Sequence, residues 1–296
     1  MKLIALDLDG TLLTTDKTMT PENEAALRRA AENGAEIVPA TGRFFGAIPE
    51  PVRTLPFVHY AITVNGAQIL ELRTGRVLHR AEIACRRAVE VMEYLDTLPV
   101  IYDCYMDDWG WMTRSLYEQA ADYAPHRHSL EMLQRLRTPV PELKAHLTEV
   151  GHDVQKIQTF FRDMELRERE MEQMRVRFPD LAVTSSIPRN VELNHCKAHK
   201  GAALQWLTAY LGLDPAQTVA FGDDLNDVSM LRAAGIGIAM GNACQEAKAA
   251  ADFVTESCDE SGVARALNRL TQGDCGPRVL QTGALCAAAR KADVQK

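Results

Sequence analysis

Lys2-Leu3-Ile4-Ala5-Leu6-Asp7-Leu8-Asp9-Gly10-Thr11-Leu12-Leu13 is the stretch on which the reading of this chain turns. Apolar residues run almost unbroken from Leu3 to Leu8, the pattern of a parallel strand buried on both faces, yet two carboxylates interrupt the run at its end. An unpaired charge in a core is costly, so Asp7 and Asp9 belong at the carboxyl end of the strand, facing a cation or hydrogen-bond donors. Positions two apart on a strand share a side, which lets both acids address one small site. Gly10 permits a tight turn, and Thr11 adds a hydroxyl beside it. Such a pair suits a hard cation such as Mg2+, and also covalent catalysis by one Asp with acid–base help from the other.

The same design repeats along the chain. Thr20 and Pro21 open a helix that Gly34 ends, and Ala35–Ala40 forms a short strand running into Thr41-Gly42-Arg43. The hydroxyl of Thr41, the N–H groups around Gly42 and the Arg43 guanidinium are all donors suited to phosphate oxygens. A third strand, His59–Val64, ends at Asn65-Gly66, which the pattern predicts to be a hairpin turn, with Asn65 also a candidate contact. Further on, Lys197-Ala198-His199-Lys200-Gly201 opens a helix, and a lysine there calls for an anionic partner; spacing alone leaves Lys197 and Lys200 open. Gln217–Phe221 is another buried strand, followed by Gly222-Asp223-Asp224-Leu225-Asn226-Asp227. That many acids beside an apolar strand point to a metal. Gly235–Ala239, a helix to Ala250, Phe253-Val254 and a helix from Asp259 to Leu270 complete the pattern.

Between the two halves the pattern changes. Ile83–Leu98 reads as an amphipathic helix, Val100–Met106 and Trp109–Met112 as strands joined at Asp107-Asp108, and 114–137 as helix broken at Pro125. Thr138–Pro141 reads as a loop, Val154–Phe161 as a strand, Met164–Phe178 as a charged helix, and Leu181–Thr184 and Val191–Asn194 as strands. The expected architecture is therefore α/β: a Rossmann-like, doubly wound parallel-sheet core (residues 1–81 and 195–271) with an inserted α+β cap (82–194) roofing the catalytic edge. Tyr102, Tyr105, Trp109 and Trp111 read mainly as cap packing. Asn190 and Glu192, on the segment returning from the cap, are candidate substrate contacts. Residues 272–296 form an extension with little periodicity apart from Ala284–Ala289.

Composition excludes several classes. The 296 residues are 46% hydrophobic and 25% charged, with net charge −7 and a pI near 5.7, so no basic surface for nucleic acid is expected. No apolar run approaches the roughly 20 residues needed to cross a bilayer, and the start of the chain lacks a signal-like segment. Seven cysteines without a CxxC pair read as reduced thiols in a cytoplasmic protein. His126 with His128, and His195 with Cys196 and His199, lack the ligand count and spacing of a zinc site.

DLDGTLL, ATGR, NGA, KGAAL, GDDLNDVSML and GIAMGNA occur in this order, and over residues 1–270 the chain resembles the Cof-type branch (subfamily IIB) of the haloacid dehalogenase superfamily. The resemblance implies that Asp7 is the nucleophile and Asp9 the general acid/base. It maps the second-motif Thr to Thr41 and the third-motif Lys to Lys200, which directly precedes a Gly. It also implies Mg2+ held by Asp7, the Asp9 carbonyl and Asp223, with Asn226 in support and Asp227 both in support and a candidate metal residue. The expected activity is a Mg2+-dependent phosphatase acting on small phosphorylated metabolites, sugar phosphates or phosphorylated cofactors, through an aspartyl-phosphate. The alternatives are a sugar-phosphate phosphotransferase or mutase, and a non-catalytic phosphometabolite-binding regulator. The oligomeric state is not legible in the sequence.

Overall fold

The computed structural model describes residues 1–124, 127–185 and 189–272. The extension expected at 272–296 lies, beyond Gln272, outside the described residues, as do Pro125 and His126. Strands are numbered along the chain: β1 (Leu3–Leu6), β2 (Glu36–Pro39), β3 (Tyr60–Thr63), β4 (Gln68–Glu71), β5 (Arg76–Arg80), β6 (Ile101–Met106), β7 (Trp109–Thr113), β8 (Arg137–Val140), β9 (Lys156–Phe160), β10 (Leu181–Thr184), β11 (Asn190–His195), β12 (Thr218–Gly222), β13 (Ile236–Ala239) and β14 (Phe253–Val254).

β1 lies inside a five-stranded parallel sheet of order β14-β13-β12-β1-β2. Every residue of β1 and β12 is buried, as strands covered by helices on both faces require. The flanking helix Pro21–Glu32 starts as the sequence predicts, with the Thr20 hydroxyl accepting from the Asn23 N–H and Pro21 in the first turn. It buries Ala26, Leu27 and Ala30 against the sheet. Helices Lys200–Tyr210, Val228–Ala233 and Gly262–Gln272 complete this layer. β3 bridges to the end of β2 at Ala40 and Ile62, then pairs with β4 and β5 in an antiparallel three-stranded sheet.

The second layer is a six-stranded sheet of order β10-β11-β9-β6-β7-β8 with its own apolar cluster. Strand alternation sends Tyr102, Cys104, Ile157, Val191 and Leu193 toward helices Cys85–Leu95 and Met164–Arg177. The opposite face carries Asp103, Tyr105, Lys156, Gln158, Asn190 and Glu192, and it is buried too. Central parallel sheet, flanking helices and a separate mainly antiparallel roof make this an α/β fold of the expected kind.

One local reading is corrected, one is refined and one helix is added. Thr138–Pro141 is not a loop: Arg137–Val140 is an edge strand parallel to β7, where Pro139 is tolerated because an edge position need not donate to a further strand. The hairpin read at Asn65-Gly66 is present, joining antiparallel β3 and β4; within it Val64–Gly66 forms a 3-10 turn in which Val64 and Asn65 both take positive φ, 48° and 59°. A helix at Leu143–Val150 escaped the sequence reading, since Leu143 and Leu147 alone mark its buried face between Pro141 and the left-handed cap Gly151. The Asp107-Asp108 turn is as read, both residues having positive φ.

Candidate active site

Strand β1 ends at Leu6, so Asp7 and Asp9 occupy the turn just past the carboxyl edge of the sheet. β12 ends beside it at Gly222, and Asp223 follows. Asp7, Asp223 and Asp227 place carboxylate oxygens within 4.8 Å of one another. Lys200, fully buried at the start of its helix, lies among them: its Nζ is 2.6 Å from an oxygen of Asp7 and 2.6 Å from one of Asp227. Of the two lysines that spacing left open, Lys200 is the one among these acids, and Lys197 is exposed.

The two ends of Asp227 do different work. One oxygen holds Lys200; the other accepts the backbone N–H groups of Asp223 (2.9 Å) and Asp224 (3.1 Å). Asp223 accepts from the Thr11 hydroxyl at 2.8 Å. Gly10 sits against that same carboxylate at φ 82°, where a Cβ would collide with it. Burial pushes the Asp7 carboxyl up, to about 8, with Asp227 and Asp223 adding to it against the pull of Lys200. Burial and the neighbouring Asp227 likewise raise Asp223, to about 7. Lys200 is depressed by burial but held above the ordinary lysine value by Asp227 and Asp7. Three carboxylates around one ammonium leave an excess of negative charge and a set of hard oxygen donors, which fits a Mg2+ ion.

Asp9 faces the other way. Arg43 grips its carboxylate with two hydrogen bonds of 2.7 Å, and Lys17 approaches to 2.9 Å. Although burial opposes it, these cations hold Asp9 down at about 2. Thr41 is buried at the end of β2, its hydroxyl accepting from the Arg43 N–H and its carbonyl from the Asn65 N–H. Asn65 accepts from Asn226 at 3.1 Å and lies so close to Gly42 that a Cβ there would stand 3.0 Å from its oxygen. Asn65 also donates to Glu192 of the roof at 3.2 Å, and Glu192 pairs with Lys156 at 2.9 Å. Asn190 donates to Glu192 from two residues away. The structure thus brings every candidate of the core to one sheet edge and joins both roof candidates to it through Asn65.

Sequence reasoning missed several members. Asn242, within the GIAMGNA segment, donates to the Gly10 carbonyl and accepts from the Cys258 N–H, tying the first turn to a distant one. Asp108, at the roof's hairpin tip, accepts from the N–H groups of Phe45 and Gly46 at 2.8 and 3.3 Å. Phe44 packs there against Tyr105 and Trp109, with ring centroids 5.2 and 5.5 Å apart. Tyr102 and Trp111 pack in the helix-facing cluster instead. His195 and His199 accept from the N–H groups of Lys197 and Ala202 through Nδ1, local capping roles. No described helix is long and apolar enough to cross a membrane.

A parallel sheet gathering carboxylates, a buried lysine and hydrogen-bond donors at its carboxyl edge, under a separate roof, defines a capped α/β fold with its site at the sheet edge. The haloacid dehalogenase-like hydrolase family model matches residues 4–267, and the chain belongs to that family. It is 35% identical to the phosphatase YwpJ of Bacillus subtilis, over 91% of this chain and all of that one. It is 29% identical to the 5-amino-6-(5-phospho-D-ribitylamino)uracil phosphatase YcsE of the same organism, over 90% of this chain and 94% of the other. A solved haloacid dehalogenase-like hydrolase from B. subtilis superposes with a TM-score of 0.75 at 33% identity, covering 91% of this chain and 100% of that one.

Proposed function

We propose that this protein is a Mg2+-dependent phosphatase that hydrolyses small phosphorylated metabolites through an aspartyl-phosphate on Asp7. The observation that carries the reading is the placement of Lys200 between Asp7 and Asp227, with Asp223 alongside, at the carboxyl edge of β1 and β12. Asp7 attacks phosphorus, with its carboxylate oriented by the Lys200 ammonium. Thr41, the backbone N–H groups near Gly42, Arg43 and Lys200 donate to the phosphoryl oxygens, and Arg43 exchanges Asp9 for the ester as it does so. Once Arg43 has turned to the ester, Asp9 is no longer held down by it, takes a proton from solvent and passes it to the leaving oxygen; the carboxylate so regenerated then takes a proton from the water that hydrolyses the intermediate. Positioning and electrostatics of this kind supply most of phosphoryl-transfer catalysis. Asp7, Asp223 and the Asp9 carbonyl would hold the Mg2+, which when bound adds positive charge beside the phosphoryl group. Asp227, its oxygens already occupied, positions Lys200 and the Asp223 loop.

We assign catalysis to residues 1–81 and 195–271 and water exclusion with leaving-group recognition to 82–194. Asn65 and Asn226 bind on the core side, Asn190 and Glu192 on the roof side. The described cysteines are free, which supports action in a reducing cytoplasm. The test is phosphate release from a panel of sugar phosphates, phosphorylated cofactors and nucleotides, with and without Mg2+, beside Asp7→Asn. Metal-dependent release abolished in Asp7→Asn is expected. Turnover that survives that substitution would reject the nucleophile, and alcohol acceptors added to the assay distinguish hydrolysis from phosphoryl transfer.

A further inference from the structure

Arg43 is held at three points. Its Nε and Nη2 grip the Asp9 carboxylate at 2.7 Å each, and its Nη1 donates to the Ala47 carbonyl at 2.9 Å. The first two contacts belong to the site itself, whereas the third depends on where the backbone four residues further on is put. Ala47 closes a single 3-10 turn, Phe45–Ala47, in which the Ala47 and Ile48 N–H groups donate to the Phe44 and Phe45 carbonyls. The leading N–H groups of such a turn find no carbonyl within it. Phe44, the residue in front, has no side-chain group to cap them.

The roof supplies the cap. Asp108 accepts from the Phe45 and Gly46 N–H groups with its two carboxylate oxygens, at 2.8 and 3.3 Å. Asp107 and Asp108 take positive φ, 53° and 58°, at the tip of the β6–β7 hairpin, and the buried Gln155 accepts from the Asp108 N–H at 3.1 Å. That left-handed tip, held from behind, aims one carboxylate at one turn of the core. Phe44 fixes the same segment through packing: it is fully buried, against Tyr105 and Trp109 of the roof and in one apolar cluster with Val64 and Ala67 of the core. Between Arg43 in the site and Ala47, every residue is therefore engaged by the roof.

A carboxylate accepting two backbone N–H groups makes charge-assisted bonds whose two-point form fixes orientation as well as distance. The Ala47 carbonyl then has one position and Arg43 one pivot, about which Nε and Nη2 can leave Asp9 for a phosphoryl oxygen. Without the cap the guanidinium keeps its charge and loses its pivot. We propose that Asp108 is a positioning residue for Arg43: from the roof it sets the 45–47 turn, and through the Ala47 carbonyl it sets the guanidinium that receives the phosphoryl group. The inference rests on the phosphatase reading for its ligand. It goes beyond docking of roof on core, because it makes phosphate affinity depend on a residue whose two oxygens are both turned to backbone.

The test is a double-mutant cycle on the full chain with Mg2+ present, read as the dissociation constant of inorganic phosphate by titration calorimetry. Inorganic phosphate has no leaving group, so leaving-group recognition by the roof cannot enter the result. Asp108→Ala should weaken phosphate binding about tenfold, and Asp108→Asn, which keeps one acceptor oxygen, by less. In an Arg43→Met background Asp108→Ala should change it by less than about twofold, because the group it positions is gone. KM for 4-nitrophenyl phosphate should rise in step with the dissociation constant. If Asp108→Ala does not fold, Asp108→Asn runs the same cycle. Native-like phosphate binding by the Asp108 variant, or a loss of the same size with and without Arg43, would overturn the positioning role and leave Asp108 a latch between the layers. The expected coupling without Mg2+-dependent turnover of any monoester would reject hydrolysis and leave the positioning role standing. No phosphate binding by the native protein would overturn both.

Discussion

Replacing Lys200 by Met keeps much of the side-chain volume and removes one positive charge from a site that already lacks one. The ammonium is fully buried, with Asp7 and Asp227 each 2.6 Å away. At an effective dielectric of about 20, unit charges at that separation attract by about 6 kcal/mol, much of which desolvation of the three groups offsets. Removing one member of such a buried set while leaving the others charged costs about 3–5 kcal/mol. A large share of a typical domain's net stability is at stake, since that totals about 5–15 kcal/mol. The assay is urea unfolding in EDTA, followed by tryptophan fluorescence, with Lys197→Met as the partner measurement. Lys200→Met should lose stability on the scale given, and Lys197→Met, altering an exposed side chain, almost none. Mg2+ should restore more of the Lys200→Met loss than it adds to the native protein, because the ion supplies charge where the ammonium was. Equal losses in the two variants, or no loss in either, would refute the assignment of Lys200 as the internal counterion.

Asp9→Asn should lower kcat by about 10²–10⁴ through loss of acid–base help, with circular dichroism unchanged, because Asp9 is held by side chains and not by the sheet. Gly10→Ala should lose at least 1 kcal/mol by thermal melting and weaken Mg2+ binding measured by titration calorimetry, since the left-handed backbone and the Asp223 carboxylate both exclude a Cβ. Asp108→Ala should raise KM several-fold and speed proteolysis at the roof hairpin, as it strands the Phe45 and Gly46 N–H groups that latch roof to core; unaltered KM and digestion would remove that latch from the scheme.

Legibility followed the range of the interactions. Asp7, Asp9 and Asp223 were readable because an acid ending an apolar strand is anomalous within a window of a few residues, and the anomaly itself points to a ligand. Lys200 was readable only as one of two lysines, because what separates it from Lys197 is burial against Asp7 and Asp227, contacts that skip 193 and 27 residues. Lys156-Ile157-Gln158-Thr159-Phe160 shows the opposite limit. Its polar alternation is that of a strand with one wet face, yet the side bearing Lys156 and Gln158 is buried beneath the core and the 114–135 helices. Nothing local says that the polar face is covered. Asp108 likewise reads as an ordinary turn acid until the fold brings it to Phe45, 63 residues away.

The charge layout explains why the two layers take different parts of one substrate. In the core layer, four carboxylates (Asp7, Asp9, Asp223, Asp227) face three cations (Lys17, Arg43, Lys200), all gathered at one strand edge. That imbalance is unfavourable in isolation, and a divalent cation arriving with a phosphate relieves it. In the roof layer, Lys156 is matched by Glu192 and Arg137 by Asp103, each pair nearly inaccessible to water. A balanced, buried layer has little to offer an ion and can exclude one at low cost. On the proposed phosphatase reading, binding strength then resides in the phosphate, which every substrate shares, and selectivity among leaving groups is left to the roof.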